Sequence, residues 1–332
     1  MRVSYQALFD VVLRVLVRRG MAEDRATACA RLFADTSRDG VYSHGLNRFP
    51  RFIRMIDLGV VDVRARAERV GGRAALEQWD GRQGPGNLNA QDCMARALTL
   101  ASAHGIGCVG LANTNHWMRG GSYGWQAAEA GAIGICWTNT LPNVPPWGAS
   151  QPRIGNNPLI VAIPRPPAHV VLDMAMSQFS VGALSSYRLR GELLPVDGGY
   201  DVNGRLTRDP AALEESRRLL PIGFWKGSGL SLVLDMAAAL LSGGLATHQI
   251  SSDPERETHL SQVFIASSLP SDPDSATRAV SDILAYTQSS SVSGVSGERV
   301  RYPGERTLET RKRNLEEGIP VEPAIWEQVL AL

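Results

Sequence analysis

Charge of one sign is missing from this chain: 34 lysine and arginine residues stand against 33 aspartate and glutamate residues, a net charge of +1 over 332 residues. That balance creates no long-range field to gather a polyanion, and no basic stripe interleaved with aromatics occurs, so nucleic acid is not an expected partner. Cysteine is scarce too. Cys29, Cys93, Cys108 and Cys136 make no CxxC pair and have no histidine at ligand spacing; they read as reduced, mostly buried small hydrophobes, and no metal site is expected. No apolar run reaches the roughly 18 residues that a membrane span needs. Residues 1–19 set Leu8, Val11, Val12, Val15 and Leu16 against Arg14, Arg18 and Arg19, the pattern of an amphipathic helix and not of a signal peptide. A cytoplasmic protein with no membrane partner is the expectation.

What is present is an ordinary globular composition, 44% hydrophobic and 20% charged, long enough to bury a substantial core in one large or two medium domains. Residues 4–58 read as helix-rich. Gly20 closes a first helix, residues 22–37 form a second, and Ser43 caps a third that runs through Arg48 to Leu58. A short strand at 75–79 then leads into Gly84-Pro85-Gly86-Asn87-Leu88-Asn89, a turn cluster that opens a helix over 90–103. Downstream, apolar runs at 134–138, 159–163 and 170–177 alternate with helical segments such as 121–129, which makes the fold class α/β.

One motif misleads. Gly105-Ile106-Gly107-Cys108-Val109-Gly110 matches GxGxxG letter for letter. A Rossmann site needs strand, glycines, then a helix N-terminus, because free amides and the helix dipole bind the pyrophosphate. Here the glycines follow a helix and precede an apolar run. They read as a helix C-cap leading into a strand.

The chemistry-bearing residues lie elsewhere. In Tyr42-Ser43-His44-Gly45-Leu46-Asn47-Arg48 the imidazole of His44 stands one helical turn ahead of Arg48. Reducing a ketone beside a carboxylate requires a proton donor that titrates near working pH, which imidazole is, and a planar fork to hold the carboxylate, which guanidinium is. The same residues also fit a capped helix start with an incidental histidine and surface arginines. Polar loops that suit a ligand follow expected strands at Asn113-Thr114-Asn115-His116-Trp117 and at Asn139-Thr140, and Gly155-Asn156-Asn157-Pro158 stands just ahead of the run at 159–163. Asn and Ser also occupy turns for purely local reasons. Only two lysines occur, Lys226 and Lys312. Lys226 precedes Gly227-Ser228-Gly229 and an apolar helix over 230–241, which fits either a phosphate cradle or a solvated lysine before a buried helix.

Taken in order, Ser43-His44-Gly45, Asn115-His116, Gly155-Asn156-Asn157-Pro158, Asp173-Met174-Ala175, Lys226-Gly227-Ser228-Gly229 and Pro303-Gly304-Glu305 resemble the malate/L-lactate dehydrogenase type-2 family, also called sulfolactate dehydrogenase-like. The resemblance spans nearly the whole chain. It implies a sulfolactate dehydrogenase-like fold: a mixed sheet, a helical N-terminal region at residues 1–75 that packs with 305–332, and a non-Rossmann NAD(P)-binding domain at 76–304. It implies a homodimeric, NADH-dependent reductase of a 2-oxo or 2,3-diketo sugar acid, with NADPH as the other cofactor option. By similarity His44 is the proton donor, and His116 lines the cleft with Asn115; Arg48 or a neighbouring arginine is expected, from the residues themselves, to hold the carboxylate. By the same similarity His169, Val170, Val171, Leu172, Asp173, Met174, Ala175, Trp225, Lys226, Gly304, Glu305 and Arg306 contact the nicotinamide cofactor. Ala112 departs from the pattern, which has arginine there, and residues 248–298 match only loosely, with a polar run at 289–296 that reads as a mobile loop. A malate, lactate, ureidoglycolate or cyclic-imine reductase, and a non-catalytic dimeric ligand-binding protein, stay open as alternatives.

Overall fold

In the computed structural model, which describes residues 1–269, 272–291 and 299–332, the amino end forms a helical layer. The two-residue strand β1 (Arg2–Val3) precedes α1 (Tyr5–Arg18), where the Ser4 hydroxyl accepts from the Ala7 amide, and α2 (Glu23–Arg38). Leu8, Val12, Val15 and Leu16 recur every three or four residues and are wholly buried in one core with Phe33, Phe49 and Phe52. The expected third helix is broken. Two short 3-10 turns, Tyr42–His44 and Leu46–Arg48, come first, and α3 begins only at Phe49–Asp57. Gly45 leaves the helical path with φ −96° and ψ −127°, held there because the Ser37 hydroxyl accepts from the Leu46 amide. Pro50 has no amide proton and sits in the first turn of α3, where none is needed. His44 and Arg48 therefore lie on successive turns of irregular chain, not on one helical face.

The strand β2 (Glu68–Arg73) makes a hairpin with β3 (Leu76–Asp80), and α4 (Gly86–His104) crosses over to β4 (Ile106–Thr114), parallel to β3. Next come α5 (Gly121–Glu129), β5 (Ile133–Thr138), β6 (Leu159–Ile163) and β7 (Val170–Met174). The chain then leaves the sheet for an excursion of α6 (Val181–Arg190), β8 (Gly199–Tyr200), β9 (Leu206–Thr207), α7 (Pro210–Ser216) and β10 (Arg218–Leu219). Its three strands pair in the order β10-β8-β9, and it closes over a small core of its own, Leu184, Leu194, Leu213 and Leu219. After α8 (Trp225–Ser242), β11 (Leu260–Ser267) inserts between β4 and β5.

The resulting sheet has the order β2-β3-β4-β11-β5-β6-β7, and β3 with β4 is its one parallel pair among the described residues. It is a mixed α/β sheet and not a doubly wound one. Alternate residues of β11 serve two cores: Phe264 and Ala266 face α4 and α5, while Val263 and Ile265 face α8. The GxGxxG segment does what its position implies. Gly105 caps α4 in the left-handed region at φ +83°, and side chains at Gly107 or Gly110 would strike the carbonyls of Ala97 on α4 and Leu241 on α8. Those glycines let helices approach both faces of β4.

After α9 (Pro273–Gln288), α10 (Glu305–Glu317) leads to β12 (Ile319–Pro320), which pairs with β1, and to α11 (Pro323–Ala331), whose Trp326 and Val329 join the amino-terminal core. Of the polar run at 289–296, residues 292–296 lie outside the described residues. No described helix is long and apolar enough to cross a membrane.

Candidate active site

A cavity of about 730 Å³ opens between the amino-terminal layer and the excursion after β7. Ser43, His44 and Arg48 reach it from the two 3-10 turns, and His116 from the loop after β4. Thr140, Asn143 and Asn156 line it from the end of the sheet. The three residues named as catalytic from the sequence thus share one space, although His116 is 72 positions from His44.

The two imidazoles stack with centroids 5.8 Å apart and planes inclined by 22°. The Ser43 hydroxyl lies 3.0 Å from His44 Nδ1 and fixes the ring. His116 Nδ1 accepts from the Met118 amide at 3.0 Å, so the neutral ring carries its proton on Nε2. Burial, then the positive charges of Arg48 and Arg119, push the His44 pKa down from 6.5 to about 4. Burial, followed by Arg48, His44 and Arg51, holds His116 well below its ordinary value. Both rings are neutral at pH 7 in the resting site.

Arg48 does not stand free. Its guanidinium donates to Glu257 at 3.1 Å, and Arg51 lies 3.7 Å from the same carboxylate. Glu257 is buried, so this pair fixes where the guanidinium points while leaving most of its five N–H donors unused. The sequence contained no sign of this partner, 209 positions away in a stretch without a matching motif.

A second charge cluster supports the His116 loop. Asp39, at the end of α2, accepts from Arg38 at 2.9 Å, from Arg119 at 2.7 Å and from both nitrogens of the Arg311 fork at 2.8 Å. Burial alone would raise its pKa, yet the Arg311 hydrogen bond and the charges of Arg119 and Arg38 hold it at about 2. Arg311 also lies over the Trp125 ring at 4.7 Å. This cluster ties α2, α10 and the segment after His116 together.

The residues named for the cofactor fall into two other places, and none of them lines the cavity. His169 leads into β7, the edge strand along which Val170 through Met174 run, where the Val171 amide donates to Pro303 at 3.0 Å. Gly304, at φ +94° as the N-cap of α10, packs onto the His169 carbonyl and the Val171 amide, so this stretch and Gly304, Glu305 and Arg306 form one strip. The His169 ring is buried and accepts from the Arg165 amide, and Glu305 is held by Arg299 at 2.7 Å. Asp173 accepts from the Gly121 amide at 2.9 Å. Ala175 follows the strand, and the next amide, of Met176, donates at 2.7 Å to the carbonyl of Asn156, which lines the cavity. Trp225 and Lys226 stand exposed at the start of α8, shortly after Ile222, whose amide donates to the Met176 carbonyl at 2.9 Å just past the end of β7.

Two sequence expectations are corrected here. Gly227-Ser228-Gly229 is not a loop: α8 begins at Trp225, and the amides of Lys226, Gly227 and Ser228 already donate to Gly223, Ile222 and Phe224, so they cannot cradle a phosphate. The side-chain amides of Asn115, Asn139 and Asn157 are buried and bind backbone carbonyls, of Gln83 and Gly84, of Leu245, and of Ser231 on α8 respectively. They hold the cavity's rim in shape. Asn143 lines the cavity itself, and its buried Oδ1, like that of Asn115, has no hydrogen-bond partner among the described residues. All four thiols are free, with Cys29, Cys93 and Cys136 buried, and no group of three or more His, Cys, Asp or Glu side chains placed for a metal occurs among the described residues.

Known proteins share this architecture. The 2,3-diketo-L-gulonate reductase of Citrobacter koseri is 48% identical over 334 residues, covering 100% of both chains. The solved sulfolactate dehydrogenase from Methanocaldococcus jannaschii superposes with a TM-score of 0.91 at 27% identity, covering 100% of this chain and 98% of that one. The delta1-piperideine-2-carboxylate reductase from Pseudomonas syringae superposes at 0.85, also with 27% identity, over 100% and 99% of the two chains. A family model described as malate/L-lactate dehydrogenase matches residues 3–330. The chain belongs to the malate/L-lactate dehydrogenase family.

Proposed function

We propose that this protein is an NAD(P)H-dependent reductase of a 2-oxo or 2,3-diketo sugar acid, using NADH in preference to NADPH and working as a homodimer. The observation that carries the reading is the convergence of His44, His116 and Arg48 on one cavity, in a chain 48% identical over its full length to a relative named for that reduction.

Bound NAD(P)H supplies the hydride. The residues present fit such a group. The unpartnered Asn143 Oδ1 is an acceptor suited to a carboxamide N–H, and the edge of β7 beside the first turn of α10 offers backbone groups to the rest of the molecule. His169 to Ala175, Trp225, Lys226 and Gly304 to Arg306 are the residues we assign to holding it.

The chain's own task is placement and proton transfer. Arg48, aimed by Glu257, receives the substrate carboxylate through its unused N–H groups. His116 presents Nε2–H to a substrate oxygen, because Nδ1 is already occupied. His44, held by Ser43, gives its proton to the oxygen of the reduced carbonyl. A bound carboxylate and a developing alkoxide both favour the imidazolium that burial and the neighbouring arginines disfavour. Homodimer formation is supported by an exposed apolar face on α8, where Val233 is 58% exposed, Met236 52% and Leu240 80% at helical spacing.

Loss of NADH absorbance against a panel of 2,3-diketogulonate, pyruvate, oxaloacetate and piperideine-2-carboxylate tests the reading. The diketo acid should have the highest kcat/KM. A faster cyclic imine, or no oxidation of NADH with any of them, overturns it.

A further inference from the structure

The catalytic histidines and Arg48 account for one end of the cavity only. The excursion supplies another wall, and its chemistry is of a different kind. Glu214 on α7 accepts from the Ser185 hydroxyl at 2.9 Å and pairs with Arg188 at 2.7 Å. Three residues on, Arg217 also lines the cavity, and its guanidinium has no carboxylate partner among the described residues. Arg217 adopts φ 55° as the C-cap of α7, a left-handed conformation that glycine takes freely and arginine does not. Observed strain of this kind is a reason to look for a task.

The wall mixes donors with acceptors. A second carboxylate could pair with Arg217 alone, whereas a hydroxyl both donates and accepts and can use Arg217, Ser185 and the Glu214 oxygens together. A three-carbon oxo acid has no hydroxyl beyond its reacting carbonyl to offer this wall. A sugar acid has several hydroxylated carbons beyond the reacting carbonyl.

Resting on the reductase reading above, we propose that Arg217, with Glu214 and Ser185, forms a distal subsite that reads the hydroxylated tail of the substrate and so selects a sugar-derived oxo acid over an unadorned one. Arg217 is then a specificity residue, and the positive φ is the cost of turning its guanidinium into the cavity.

The test compares kcat/KM for 2,3-diketogulonate and for 2-oxohexanoate, a six-carbon 2-oxo acid without hydroxyls, in the wild type and in Arg217→Gly. Glycine suits the backbone conformation, so a thermal melt should show the fold intact. The ratio of the two kcat/KM values should fall about tenfold or more, the worth of a hydrogen bond to a charged group, with the KM for NADH unchanged. Glu214→Gln, which removes charge from the same wall, should lower the same ratio. An unchanged ratio in both folded variants overturns the subsite while leaving the reductase reading intact. A loss that appears as a raised KM for NADH also overturns it, by assigning the wall to the cofactor. A wild type that reduces neither acid overturns both readings.

Discussion

The imidazoles of His44 and His116 stack 5.8 Å apart in a cavity that also holds Arg48. Two rings so close, largely withdrawn from solvent and with a guanidinium beside them, cannot both carry charge. Their environments nevertheless differ. His116 has Nδ1 committed to a backbone amide, while His44 meets only a serine hydroxyl that serves equally as donor or acceptor. The ring free to change protonation state is His44.

His44→Ala should accordingly lower kcat for reduction about 10²-fold or more, the range for a positioned general acid. Cofactor affinity should hold, because the strip assigned to the cofactor does not touch His44. Fluorescence titration with NADH beside steady-state kinetics separates the two quantities. Turnover near the wild-type rate would mean that another group donates the proton.

The depressed pKa fixes the sign of the pH dependence. With His44 titrating near 4, the free enzyme gains the protonated form as pH falls, so kcat/KM for reduction should rise from pH 7 to pH 5. The reverse oxidation, which uses the neutral ring as base, should decline over the same acid range. His44→Asn should flatten both profiles. Stability moves the other way: between about 6.5 and 4 the unfolded chain binds a proton that the folded one refuses, so His44 makes the protein less stable as pH falls through that window. Melts at fixed ionic strength across pH 4 to 7 would detect the trend.

Much of this was readable in the linear chain where the signal was local. The period of Leu8, Val12, Val15 and Leu16 announced α1, and the order of helix, glycines and apolar run exposed the false dinucleotide motif at Gly105. The broken helix at Gly45 carried its own warning, since a glycine and Pro50 both interrupt the segment. Glu257 carried none. It reaches Arg48 only because β11 inserts between β4 and β5 and brings the loop before it back to α3, and no local rule encodes such a pairing. Gly227-Ser228-Gly229 misled for a related reason: it resembles a loop until the preceding carbonyls claim its amides.

Asp39 should be the most sensitive charged position in the fold. It is 4% exposed and surrounded by Arg38, Arg119 and Arg311. Asp39→Asn keeps the shape and removes the charge that all three arginines share, and breaking a buried pair in this way costs about 3–5 kcal/mol. Denaturant melts should show that loss at pH 7. The native carboxyl titrates near 2 and not at 3.8, so its contribution is complete above about pH 4 and disappears only as pH falls toward 2. The wild type and Asp39→Asn should therefore converge in stability at strongly acid pH.

Gly182 decides how closely the excursion approaches the catalytic turn. A Cβ placed there would lie 2.6 Å from the Ser43 Cβ and 3.0 Å from its hydroxyl, and Ser43 is the residue that holds His44. Gly182→Ala gains about 0.5–1 kcal/mol in helix propensity against about 1–3 kcal/mol for overpacking. The clash outweighs the gain if everything stays in place. The excursion has its own core of Leu184, Leu194, Leu213 and Leu219, however, so it can relieve the contact by moving outward as a unit. The expected result is a small change in Tm with a raised KM for the oxo acid and a lower kcat, because the cavity widens and Ser43 loses its backing. A marked fall in Tm with unchanged kinetics would show instead that α6 is fixed rigidly to the sheet.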